Sequence, residues 1–144
     1  MDYSVLSKKT VRVIKGTNFD YFSKDAKDKF FNKEYLVTNQ SDRMGMRLEG
    51  PKLENIVNTN IKSEGLVKGV VQVPADSNPI ILFSDHGSIG GYPKIAVVIT
   101  ADHDMTAQLI PGSKIKFKEV NLDEAEKLFK SYFNKTKNYI EQIK

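Results

Sequence analysis

Residues 95–100, Ile-Ala-Val-Val-Ile-Thr, form a charge-free run that is β-branched at every position but one. So uniformly apolar a segment reads as a central strand covered on both faces. Shorter runs of the same kind recur. Val11–Ile14 and Tyr35–Thr38 have strand character, and Met46–Glu49 alternates until Gly50-Pro51 stops it. Gly69–Pro74 and Pro79–Phe83 flank the turn-forming Ala75–Asn78, which predicts a hairpin. Lys114–Val120 alternates as a strand with one wet face.

Helices take less of the chain. Ser23 is placed to cap a helix over residues 24–32, and Asp102 to cap a short one through Leu109, ended by Pro111-Gly112. From Leu122 onward, Ala125, Leu128, Phe129, Tyr132, Phe133, Tyr139, Ile140 and Ile143 recur at three- and four-residue steps. That spacing predicts an amphipathic C-terminal helix, capped by Asn121 and packed across its own β core. Many short strands with peripheral helices point to a mainly antiparallel barrel or sandwich.

The 144 residues fit one domain, 1–144, with no internal repeat or linker. Cysteine is absent, which excludes a disulfide scaffold, a thiol nucleophile and a cysteine zinc site. No apolar run approaches the roughly 20 residues that span a bilayer, and the first residues lack a secretory pattern, so a cytoplasmic protein without membrane contact is expected. The net charge of +4 is spread thinly over both ends without aromatic interleaving. It reads as a lysine-rich solvated surface rather than a nucleic-acid site.

No phosphate loop, dinucleotide fingerprint, HExxH or GxSxG occurs. Asp85-His86 and Asp102-His103-Asp104 could meet as a carboxylate–imidazole cluster, but nothing in the spacing demands it and no metal site is expected. Three clusters remain. Arg43 and Arg47, four apart around a glycine, could fork onto a carboxylate or phosphate; ion pairs of Asp42 with Arg43 or Arg47 with Glu49 explain them equally well. Gln72, set among valines, must satisfy its amide locally or present it to a ligand. In Gly90-Gly91-Tyr92-Pro93-Lys94, the glycines could form an anion nest and Lys94 could stabilise an oxyanion. A tight turn and a surface lysine account for that stretch as well.

Taken in order, SDRMGMRLEGP, GxVQVPxDxxPIIL, a D-x-x-x-x-GGYPKIAxVI run and ADHDMTAQLIPGSKIKF resemble the C-terminal half of the allophanate hydrolase subunit 2 family. That family includes the KipI antagonist, the 5-oxoprolinase C-subunit and the matching part of urea carboxylase. The resemblance runs from about Val11 to Val120. It implies a cyclophilin-like β-barrel, mainly β with peripheral helices, forming the C-terminal half of a longer protein. It further implies a biotin-dependent carboxyltransferase-like enzyme or an ATP-dependent hydrolase acting with a KipI-like subunit 1, inactive as an isolated domain, on a small amide or carboxylate. ATP would serve the full complex, and biotin is the second cofactor the family brings into view. Carried over by similarity, Lys94, Arg47 and Glu49 are candidate catalytic residues; Arg43, Gln72, Gly90, Gly91 and Tyr92 are candidate substrate-binding residues. The family pattern Asp-Arg-Gln-Thr-Thr is replaced by Asp85-His86-Gly87-Ser88-Ile89, which removes donors from the place where an anion would sit. The alternative is a regulatory module that binds and antagonises a KipI-like kinase inhibitor. A proline isomerase suggested by the barrel alone is weak, since fold does not carry function.

Overall fold

Each of the apolar runs forms a strand. The computed structural model describes residues 8–41, 45–54, 68–83 and 92–142, with side chains up to residue 135. The strands are β1 (Lys8–Lys15), β2 (Tyr35–Val37), β3 (Gly45–Glu49), β4 (Val70–Gln72), β5 (Ile80–Leu82), β6 (Lys94–Val98) and β7 (Lys114–Glu119). They close into a barrel in the order β1-β6-β4-β5-β3-β2-β7. Closure matters because a barrel leaves no unpaired strand edge. All pairings are antiparallel except β1–β7, which closes the ring in parallel. The result is the mainly β barrel with peripheral helices that the sequence calls for.

The wall formed by β1, β7 and β2 points its aromatic side chains inward. Helix α1 (Lys24–Asn32) lies against β7, started by Ser23, whose Oγ accepts the Ala26 N–H at 3.0 Å. Its Phe30 stacks on Phe117, with centroids 4.3 Å apart, and Tyr35 completes the aromatic cluster. Phe30, Phe117 and Tyr35 are buried, as are Val11, Val13 and Ile115 around them. Burying one such ring contributes about 1.5–3 kcal/mol, and stacking adds about 0.5–1.5 kcal/mol.

Strand β6 lies between β1 and β4 with Ile95, Ala96 and Val98 buried, as its composition requires. It begins at Lys94, after Pro93, and stops before Ile99. The 75–78 hairpin forms, and Ser77 at its tip takes a positive φ of 65°. Met46, Leu48, Val71 and Ile81 face the main core, while Val70 and Leu82 form a second apolar cluster with Ile80 and Val97. Strands β4 and β5 are therefore covered on both faces.

Two expectations need correction. Asp102 precedes α2 (His103–Ala107), but its carboxylate does not cap that helix. Instead it accepts from Arg12: Nη2 at 2.6 Å, Nε at 3.0 Å and the backbone N–H at 2.9 Å. A guanidinium fork outcompetes a single amide, and the pair holds the Arg12 guanidinium above its ordinary pKa. The C-terminal helix α3 (Leu122–Gln142) does start at Asn121, whose Oδ1 accepts the Glu124 N–H at 2.8 Å. It does not close over the core. It lies against the 3-10 turn Thr100–Asp102, with Tyr132 donating to Asp104, and leaves Leu122, Phe129 and Phe133 exposed. The barrel is already filled by α1 and its own side chains, so no core face remains for α3.

Candidate functional site

Register places several candidate residues in one row. Arg47 pairs with Ile80, Ile80 with Gln72, and Gln72 with Lys94, across β3, β5, β4 and β6. A row of four strands puts the end Cα atoms about 14 Å apart, three strand spacings. The β4–β6 register shifts between Val71 and Gln72, since Val71 faces Ala96 while Gln72 faces Lys94. Ile95 is the extra residue. Such a bulge bends a strand and re-aims its side chains.

Lys94 is not the surface lysine that composition favours. It is 6% exposed, and its cross-strand partner Gln72 is 1% exposed. Neither residue is without a partner, in line with the cost of leaving a buried polar group unmet. The backbone of Lys94 is clamped by Asn18, which accepts its N–H through Oδ1 and donates its own N–H to the Lys94 carbonyl, both at 3.0 Å. Gly16 makes the approach feasible: a Cβ there would lie 2.4 Å from the Lys94 carbonyl oxygen. Tyr92, two residues earlier, is exposed.

Arg47 and Glu49 alternate with buried Met46 and Leu48, so both side chains point out of the barrel. They line a groove of about 260 Å³ with Thr38, Gln40, Asp76 and Asn78. No ion pair joins Arg47 to Glu49 among the described residues, so the tight-turn explanation loses that support. Ser41 fixes the Arg47 backbone, accepting its N–H at 3.0 Å and donating to its carbonyl at 3.3 Å. Asn78 Oδ1 is buried without a hydrogen-bond partner.

Of the eight candidates, Arg47, Glu49, Gln72, Tyr92 and Lys94 are thus placed, whereas Arg43, Gly90 and Gly91 lie outside the described residues. Asp85 and His86 lie outside them too. His103 meets the Val98 carbonyl through Nε2 at 2.9 Å, and no group of metal-ligating side chains occurs among the described residues. No helix there is long and apolar enough to cross a membrane. Sequence reasoning missed Gly16, Asn18 and Asn78. The first two sit in a Gly-Thr-Asn turn, and nothing local shows that this turn reaches a strand 76 residues away.

The model for the carboxyltransferase domain, subdomains A and B, matches residues 2–119. The chain is 38% identical over 117 residues to the 5-oxoprolinase C-subunit of Escherichia coli (strain K12), covering 81% of this chain and 38% of that one. The Haemophilus influenzae protein of the same name is 38% identical over 134 residues, covering 93% of this chain and 42% of that one. The chain therefore spans about two fifths of these relatives. Among solved structures, the urea amidolyase of K. lactis superposes with a TM-score of 0.84 at 27% identity, over 92% of this chain and 9% of that one. With the family model covering most of its length, the chain belongs to the carboxyltransferase domain family, subdomains A and B.

Proposed function

We propose that the chain is the C-terminal-half domain of a subunit in a multi-subunit, ATP-dependent amide hydrolase of the 5-oxoprolinase or allophanate hydrolase type. It would be catalytic only in complex with a KipI-like subunit. The kinship with the 5-oxoprolinase C-subunit and urea amidolyase supports the reaction class. One structural observation carries the site: a buried lysine opposite a buried glutamine, in a strand row that ends on an outward arginine.

Opening an amide, or moving a carboxyl group, builds negative charge on a carbonyl oxygen. Donors fixed before the reaction stabilise that charge without reorganisation. In this reading Lys94 supplies the cation and Gln72 orients the reacting group, with Tyr92 at the rim. Arg47 anchors a carboxylate and Glu49 holds or accepts a proton. The row's length favours two reactants, one at each end, over one small molecule touching both. Arg43, Gly90 and Gly91 would join the site by similarity.

Biotin, when bound, would supply the carboxyl group carried between reactants. Lys94 and Gln72 are the residues that would meet its ureido ring, exchanging partners they already hold. ATP use is assigned to the full complex.

Co-expression with the companion subunits, followed by an assay of ATP-dependent 5-oxoproline cleavage, tests the reading. Turnover is expected, with Arg47→Ala losing it while the complex persists. A folded complex that never turns over would overturn the enzymatic claim for that substrate. Tight binding to the KipI-like subunit, surviving both Arg47→Ala and Lys94→Ala, would then favour the regulatory module.

A further inference from the structure

Leu122, Phe129 and Phe133 are 65%, 44% and 55% exposed. At 100° per residue they fall within about 20° of one line along α3. The Phe129 and Phe133 rings touch, with centroids 6.2 Å apart. The helix is held by a different flank, where Leu128 and Tyr132 are half-buried and Tyr132 donates to Asp104. Its apolar crest is thus left to solvent beside a groove of about 360 Å³ that Ile14 and Val97 also line. Among the described residues, the other exposed large apolar side chains, Leu36, Tyr92 and Ile110, belong to separate parts of the fold. A continuous aromatic crest of this kind marks an interaction surface.

We propose that the crest is covered by α3 of a second copy of this chain, packed antiparallel about a two-fold axis between positions 129 and 133. Such an interface is self-complementary: it sets Phe129 of each copy against Phe133 of the other, so four rings form its centre. Charge fixes the direction. Asp123, Glu124 and Glu126 open the helix, and lysines occupy positions 127, 130, 135 and 137. Antiparallel packing brings the acidic start of one helix to the lysine-bearing end of the other and opposes the two helix dipoles; parallel packing would set like charges side by side. The family model itself stops at residue 119, before α3 begins. The proposal does not depend on the chemistry of the strand row.

Sedimentation equilibrium on the 144-residue chain from 2 to 200 μM tests it. The expected mass rises toward twice 16.3 kDa, and Phe129→Glu/Phe133→Glu weakens association at least tenfold while leaving the far-UV circular dichroism spectrum of the folded chain unchanged. A wild-type chain monomeric throughout, or a double variant that still dimerises as well, would overturn the proposal. The absence of cysteine allows a check of direction that does not depend on the Phe variants. With a short thiol-to-thiol crosslinker, Lys130→Cys, near the axis, should link the two copies and Asp123→Cys should not. Linkage at both positions, or at neither, contradicts the antiparallel two-fold.

Discussion

The two walls of the barrel use their side chains differently. On β1 and β7 the inner face is aromatic and the outer face is wet. Lys8 pairs across from Lys114 and Arg12 from Lys118, with Lys116 between them. On β3, β5, β4 and β6 the register row runs from exposed Arg47 to buried Gln72 and Lys94. One wall has polar groups outside and apolar ones inside, the arrangement stability alone would choose. The other keeps a cation and an amide out of water, each held by a partner as burial requires. The contrast sets an apolar, aromatic interior on the first wall against a buried cation and amide on the second, where the proposed chemistry lies.

Removing the aromatic plug should show the largest effect. Phe30→Ala deletes a ring stacked on Phe117 and should cost about 3–5 kcal/mol, read as a lower urea midpoint at unchanged slope. A loss under about 1 kcal/mol would mean the plug is dispensable and the contrast is misdrawn.

Gly16→Ala attacks the other wall from behind, forcing a Cβ against the Lys94 carbonyl oxygen. Overpacking should cost about 1–3 kcal/mol. Because the displaced backbone carries Lys94, turnover of the assembled enzyme should fall further than the melting temperature explains. Equal losses in both would reduce Asn18 and Gly16 to ordinary packing.

Tyr35 gives a smaller, pH-dependent effect. Burial raises its hydroxyl well above the ordinary value of 10.0, so above pH 10 the unfolded chain releases a proton that the folded chain keeps. The unfolded state then binds fewer protons, and stability falls as pH rises past that point. Tyr35→Phe removes the bond to the Pro51 carbonyl and should cost about 1 kcal/mol at pH 7. The gap to wild type should narrow at pH 10.5, measured by denaturant titration at both pH values; a constant gap would contradict the assignment.

Smallest of all, Lys114→Glu replaces a like-charged pair with an attractive one facing Lys8. It should stabilise by a few tenths of a kcal/mol at low salt and by nothing in 1 M salt. Destabilisation at low salt would show that the wet wall is more than a solvated surface.

Much of this architecture was legible in the sequence. Period-two alternation marked β3 and β7, the uniform apolar run marked β6, and Ser23 and Asn121 marked helix starts, because each signal is local. Ring closure was not legible as such, since parallel pairing of β1 with β7 joins residues about a hundred positions apart. Nor was the burial of Lys94, which depends on a bulge and on an asparagine from a distant turn. The amphipathic pattern of α3 was read correctly as a helix and wrongly as one closing over the core. Periodicity shows that a face is apolar without showing what meets it.

Lys94 is the residue on which the proposed chemistry rests. Lys94→Met keeps the length and apolar stem of the side chain and removes its charge. In the assembled enzyme it should lower kcat at least a hundredfold, about 2.7 kcal/mol of lost transition-state stabilisation, in protein that circular dichroism shows to be folded. Wild-type turnover in a normally folded Lys94→Met enzyme would contradict the central claim.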